Sequence, residues 1–158
     1  MAKNIGFVSF RISGTDGVSL ETKKWADVFE RHDYKAYYMA GELDTPEDIS
    51  FIADEAHFKH PAIVELYNMS YDRAVRPREL TDGIHKYREI LKERLYEFIQ
   101  RFQIDLLIPQ NTLTIPLNIP LALAMTEVTA ETRSPVIPHH HDSSTARKRF
   151  PNHCLWDN

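Results

Sequence analysis

Ile5-Gly-Phe-Val-Ser-Phe10, followed at once by Arg11-Ile-Ser-Gly-Thr-Asp-Gly-Val18, is the stretch that decides the fold. The first run is short, compact and mostly apolar, which suits a central strand. Glycines at positions 14 and 17 then break the pattern. Glycine lets backbone amides come close to a ligand, and a helix N-terminus adds positive potential behind them. The spacing predicts a helix from about Ser19 to Arg31, with Trp25, Val28 and Phe29 facing the sheet. Glu21 would then sit in the first turn, where the helix dipole favours a carboxylate. Strand, glycine loop and helix together make a phosphate-site candidate. The loop has neither the Gly-x-Gly-x-x-Gly spacing of dinucleotide sites nor the Gly-Lys-Ser/Thr ending of nucleoside-triphosphate loops. A tight turn that needs two glycines accounts for the same residues, and Asp16 would repel a phosphate unless it takes a sugar hydroxyl.

Working outward, Tyr34-Lys-Ala-Tyr-Tyr-Met39 reads as a second strand, close to Gly41-Glu-Leu-Asp44. Between residues 45 and 78 the pattern loosens. Pro46, Pro61 and Pro77 punctuate it, His57 and His60 flank Phe58, and a short helix fits residues 62–68. This segment reads as an insertion over a site or as surface packing, and packing is the simpler account. His57 and His60 lack the acidic and imidazole partners of a metal site. Residues 80–102 carry a clear helical period, with Ile84, Tyr87, Leu91, Leu95, Phe98 and Phe102 inward and charges on the other face. Gln103-Ile-Asp-Leu-Leu-Ile-Pro109 is the next buried strand, with Gln110-Asn111-Thr112 at its carboxyl end. A further helix should run from Thr114 to about Glu131, with Leu121, Ala124, Met125 and Val128 inward. Pro116 suits its first turn, and Pro120 implies an irregular start or a kink. Pro135-Val-Ile-Pro138 then reads as a buried strand that stops abruptly and releases His139, His140, His141 and Asp142.

That order alternates strands with helix-length crossovers. It predicts an α/β, Rossmann-like open parallel sheet with helices on both faces and right-handed crossovers. The loops after Phe10, Pro109 and Pro138 would all fall at one carboxyl edge, where open α/β sheets form their ligand crevice. An imidazole there can hold a sugar hydroxyl or a phosphate, or move a proton near neutral pH. A solvated polar loop, or histidines that satisfy buried carbonyls, would use the same residues.

Composition narrows the classes. A chain of 158 residues supports one domain with a real core, and 42% hydrophobic with 27% charged residues is ordinary for a globular protein. A net charge of -4 and a pI near 6.0 argue against general nucleic-acid binding. Cys154 is the single cysteine, so no internal disulfide forms. No signal-peptide pattern and no membrane-length apolar run is present, and the expectation is a soluble, cytoplasmic domain.

Several stretches together resemble the start of GT-B-type retaining glycosyltransferases of the large family 4. They are residues 5–21 with their Arg11-Ile-Ser-Gly-Thr-Asp-Gly-Val-Ser-Leu-Glu21 run, Gly41-Glu-Leu-Asp44, residues 104–120, and His139-His-His-Asp142 followed by Arg147-Lys-Arg-Phe150. The resemblance spans nearly the whole chain. It implies the N-terminal, acceptor-side domain of a two-domain enzyme that moves a sugar from a nucleotide-diphosphate donor, a co-substrate rather than a tightly bound cofactor. Carried over residue by residue, Gly14, Thr15, Asp16, Gly17 and Val18 would approach the donor. His141 with Asp142 would stand beside the transferred sugar, and Asn111 and His139 would line the acceptor side.

Two departures matter. Where the family places a Trp and a Glu before the Arg, this chain has Ser143-Ser-Thr-Ala146. The family's donor-binding second domain has no counterpart here, so the expectation is a domain over residues 1–142 with a tail at 143–158, inactive without a donor domain or partner chain. A sheet stopped early would leave an unpaired edge, which predicts homo-oligomerisation through that edge or remodelling of residues 143–158 to cover it. Three readings follow: a glycosyltransferase half, a non-catalytic binding or oligomerisation module, and a metal site through His139, His141, His153 and Cys154. The last comes third for want of a recognised ligand spacing.

Overall fold

The computed structural model describes residues 3–142, 150 and 152–155. In chain order its elements are β1 (Lys3–Val8), α1 (Gly17–Glu30), β2 (Tyr34–Ala40), β3 (Ser50–Ile52), α2 (Pro61–Ser70), α3 (Arg78–Phe102), β4 (Leu106–Pro109) and α4 (Ile119–Thr132). The four strands form one sheet in the order β3-β2-β1-β4, and every pairing is parallel. The expected Rossmann-like α/β fold is therefore present.

Side chains alternate across the pleat, and the alternation sorts the core into two layers. Ile5 and Phe7 of β1, Ala36, Tyr38 and Ala40 of β2, and Ile108 of β4 pack with Ala26, Trp25 and Phe29 of α1. Val8, Met39 and Leu107 point the other way, to Leu91, Leu95 and Phe98 of α3 and to Leu121, Ala124, Met125 and Val128 of α4. Gly6 lies on this second face, where a Cβ would come within 2.7 Å of the Phe98 ring. Lys92 of α3 reaches Glu127 at 2.9 Å and Glu131 at 2.7 Å on α4. Hydrogen bonds to Glu131 and then Glu127 hold its ammonium well above the usual range.

The structure corrects several sequence expectations. Helix α1 begins at Gly17 because Asp16 caps it, its carboxylate accepting from the Ser19 N–H at 3.1 Å. The inward stripe is therefore Ser19, Thr22 and Ala26, Val28 is 53% exposed, and Glu21 lies beyond the first turn. Helix α4 begins only at Ile119. Asn118 caps it by accepting from the Leu121 N–H at 3.1 Å, so Pro120 holds the first-turn position and Pro116 stays outside. Gln103 adopts a left-handed conformation that ends α3, which delays β4 to Leu106. The segment after Pro46 contains β3, where Met39 pairs with Phe51.

Residues 135–139 run beside β4 without forming a named strand. The Leu107 N–H donates to Pro135 O at 3.0 Å, Ile137 N–H to Leu107 O at 2.9 Å and His139 N–H to Pro109 O at 2.9 Å. The expected buried strand is in fact a half-exposed border: Val136 packs on the α3–α4 layer, whereas Ile137 is 44% exposed. Its outward register includes Pro138, which has no N–H to offer another strand. Of the tail, Phe150 packs against Tyr71, and Cys154 N–H donates to Ser70 O at 3.0 Å. The described tail residues thus lie at the end of α2. The remainder of 143–158, where edge covering was expected, falls outside the described residues. Among the described residues, no helix is long and apolar enough to cross a membrane.

Gly41 ends β2 against the backbone of the 3₁₀ turn that follows β3. A Cβ there would lie 2.4 Å from the His57 nitrogen and 2.6 Å from its Cα. Main chain cannot swing aside as a side-chain tip can. Gly41→Ala should therefore lower unfolding stability by about 1–3 kcal/mol, the usual penalty for overpacking. Urea titration of the two proteins checks this, and equal midpoints would contradict it.

Candidate functional site

The parallel register brings the strand ends to one level. Val8 aligns with Pro109, and Gln110 forms a bridge with His139. Gln110 N–H donates to Val8 O at 2.8 Å, and Ser9 Oγ donates to Gln110 O at 3.3 Å. The loops leaving β1, β4 and residues 135–139 therefore open from the same carboxyl edge.

The first loop is braced by the segment after β2. Ile12 N–H donates to Glu42 O at 2.9 Å, and the Gly14 N–H donates to Asp44 Oδ2 at 2.8 Å. Ser13 Oγ donates to Glu42 Oε1 at 2.6 Å. Gly14 adopts φ +75°, and a Cβ on Gly14 or Gly17 would meet nothing within 4 Å, so this loop faces open space. Asp16 is occupied by its cap and by Arg11, whose guanidinium lies at 3.0 Å. Burial pushes Asp16 up, but hydrogen bonds from Ser19 and Arg11 outweigh it and hold the carboxyl below its ordinary range. The Gly14 amide and then Lys23 hold Asp44 down as well. A ligand anion would meet a carboxylate already neutralised by Arg11, and one backbone amide already engaged by Asp44.

The second and third loops are joined through side chains. Asn111, 6% exposed and at φ 61°, gives its N–H to His139 O at 3.0 Å and accepts from the His141 N–H on Oδ1 at 2.6 Å. His141 Nε2 lies 2.7 Å from Gln110 Oε1. His140 Nδ1 lies 3.1 Å from Thr114 Oγ1. His139 stacks on Trp25 of α1, with ring centroids 4.1 Å apart, and contacts the tilted ring of His141 at 4.2 Å. Trp25 thus links the helix after the first loop to the histidine segment. Asp142 follows, half-buried.

Three buried polar atoms at this edge, Gln110 Nε2, Thr112 Oγ1 and His139 Nδ1, have no hydrogen-bond partner among the described residues. Buried polar groups are nearly always paired, which makes these three atoms exceptions. The metal reading finds no support. Among the described residues, no group of three or more His, Cys, Asp or Glu is arranged to hold an ion. His153 and Cys154 lie instead at the end of α2, where Tyr71 bridges His153.

Reasoning from sequence missed Gln110, Arg11 and the Trp25 stack. Gln110 directly follows an apolar strand, which was the available signal. Arg11 offered only its place after β1.

The chain is 30% identical over 154 residues to mannosylglucosylglycerate synthase of Petrotoga mobilis, covering 94% of this chain and 34% of that protein. It is 26% identical over 150 residues to mannosylglucosylglycerate synthase of Thermotoga maritima, covering 92% of this chain and 33% of that one. The likeness supports a glycosyltransferase relationship. The chain spans about a third of the length of these curated relatives. No protein-family profile matches the chain, and no solved structure matches it.

Burial, then the neighbouring His141, holds the His139 imidazole below its ordinary range, with His140 adding and Glu21 opposing. Burial does the same to His57, against Glu42 and aided by Arg11 and Lys59. An imidazole whose folded pKa is depressed favours folding while neutral. Its contribution is complete above the unfolded value of about 6.5 and is lost as pH falls below it. The carboxylates Asp16, Glu42 and Asp44 act in a separate window below about pH 4. Lowering the pH from 7.5 to 5.5 should therefore lower Tm, and by less in His139→Gln than in the unsubstituted chain. An equal fall in both, by thermal melting, would contradict the His139 assignment.

Proposed function

We infer that this chain forms the acceptor-side lobe of a GT-B-type retaining glycosyltransferase of the family-4 kind, which moves a sugar from a nucleotide-diphosphate donor to a hydroxylated acceptor. Similarity along 94% of the chain to a mannosylglucosylglycerate synthase is the observation that carries this reading. The histidine-lined carboxyl edge supports it, because sugar transfer needs groups that grip hydroxyls and manage a proton. Gly14, Thr15, Asp16, Gly17 and Val18 approach the donor, His141 and Asp142 stand at the transferred sugar, and Asn111 and His139 serve the acceptor. The relatives' name suggests a mannosyl group and a glucosylglycerate-like acceptor. No metal or tightly held cofactor enters this reading.

The relatives are about three times as long as the stretch they share with this chain. Stabilising a transition state requires both walls of a cleft and exclusion of water. Turnover therefore depends on a donor-side lobe, in the same polypeptide or a partner, and the setting is cytoplasmic. Self-association through the border at residues 135–139 belongs to the same proposal, although Pro138 weakens it. A binding module without chemistry is the second reading, favoured by the engagement of the Gly14 amide with Asp44.

Calorimetry with nucleotide-diphosphate mannose and with a glucosylglycerate acceptor tests this. The chain should bind at least one of them, with affinity falling about tenfold or more in His141→Ala, about the worth of one hydrogen bond to the ligand. No product should form without a donor lobe. Binding indifferent to His141, or no binding at all, would remove the assignment. Turnover by the 158-residue chain alone would overturn the need for a second lobe.

A further inference from the structure

Gln110 lies at the carboxyl end of β4 with 0% exposure, a place where an apolar side chain would bury at less cost. Its backbone is spent on the sheet, through Val8 O at 2.8 Å and Ser9 Oγ at 3.3 Å. Among the described residues its side chain makes one hydrogen bond, between Oε1 and His141 Nε2 at 2.7 Å. Its Nε2 has no partner among the described residues. Met or Leu would leave no such orphan, so the reason for an amide here lies in what its oxygen does to the histidine.

His141 is held from three directions. Asn111 Oδ1 fixes its backbone at 2.6 Å, Gln110 Oε1 fixes one ring nitrogen, and the His139 ring lies 4.2 Å away, itself stacked on Trp25. His141 is nevertheless exposed at this edge. An amide oxygen can only accept. In a neutral imidazole facing it, Nε2 must carry the hydrogen, and Nδ1 then presents a lone pair.

We propose that Gln110 is a positioning residue of this site: its Oε1 fixes His141 as the Nε2–H tautomer, so that Nδ1 accepts a hydrogen bond from a sugar hydroxyl. The identity of the ligand rests on the glycosyltransferase reading, whereas the tautomer does not. Asn111 holds the His141 backbone, the Trp25–His139 pair flanks its ring, and Gln110 decides which nitrogen is offered.

Long-range proton–nitrogen correlation spectra of the whole chain near neutral pH read the tautomer directly. The His141 signals are identified among the eight histidines by their loss in His141→Gln. The expected result is a protonated Nε2 and an unprotonated Nδ1. Gln110→Met should replace this with a mixture of tautomers, while Gln110→Glu, which keeps an acceptor oxygen, should retain it. A merely structural role for Gln110 would leave the tautomer unmoved. A dominant Nδ1–H form in the unsubstituted chain overturns the proposal, and needs no variant to fold. So does a His141 tautomer indifferent to Gln110→Met in a protein with an otherwise unchanged amide spectrum. The expected tautomer, found in a chain that binds neither nucleotide sugars nor hydroxylated acceptors, supports the Gln110 assignment and removes the sugar-transfer reading instead.

Discussion

The pleat of β1 governs the rest of the molecule. Ile5 and Phe7 commit one face of the sheet to α1, and Gly6 and Val8 commit the other to α3 and α4. Gly6 leaves room for the Phe98 ring on that second face. With β2 on one side of β1 and β4 on the other, the helices that lead to them lie on opposite faces, α1 on one and α3 on the other. A parallel sheet wound in this way opens a crevice where the winding changes direction, at the carboxyl ends of its middle strands. The candidate site is a geometric result of that alternation before any side chain in it is considered.

The carboxyl edge has two differently built walls. On the β1–β2 side, Asp16, Glu42 and Asp44 are held below their ordinary range by hydrogen bonds from Ser13, Ser19, Arg11 and backbone amides. That wall is charged but internally balanced. On the β4 side the groups are neutral amides, hydroxyls and imidazoles, several of them buried and incompletely paired. A ligand rich in hydroxyls suits the second wall, and an anion would have to compete with carboxylates at the first.

Much of this was legible in the sequence, for reasons that differ by element. The runs at β1, β2 and β4 and the long period of α3 are dense in apolar residues, so local pattern and burial agree. Strand β3 was hidden because only Phe51 of its three residues is buried, and its strand character comes from pairing with β2. The start of α4 was misplaced because Pro116 and Pro120 both suit a first turn, and only the capping bond of Asn118 decides between them. The border at residues 135–139 read as buried because its residues are apolar, yet burial depends on a neighbour that sequence does not supply. The histidines were visible as residue types. Gln110 was not, because its meaning lies in a bond to a residue 31 positions away.

One rim, built from three separate loops, is proposed to receive a sugar ligand. Titrating nucleotide-diphosphate mannose into the nitrogen-labelled chain, and following every backbone amide, would locate the contact. Shifts should gather at Ser9–Val18, Gln110–Thr114 and His139–Asp142 and leave β3 and the body of α3 unmoved. Shifts confined to the β3 border, or scattered without regard to the carboxyl edge, would contradict the account.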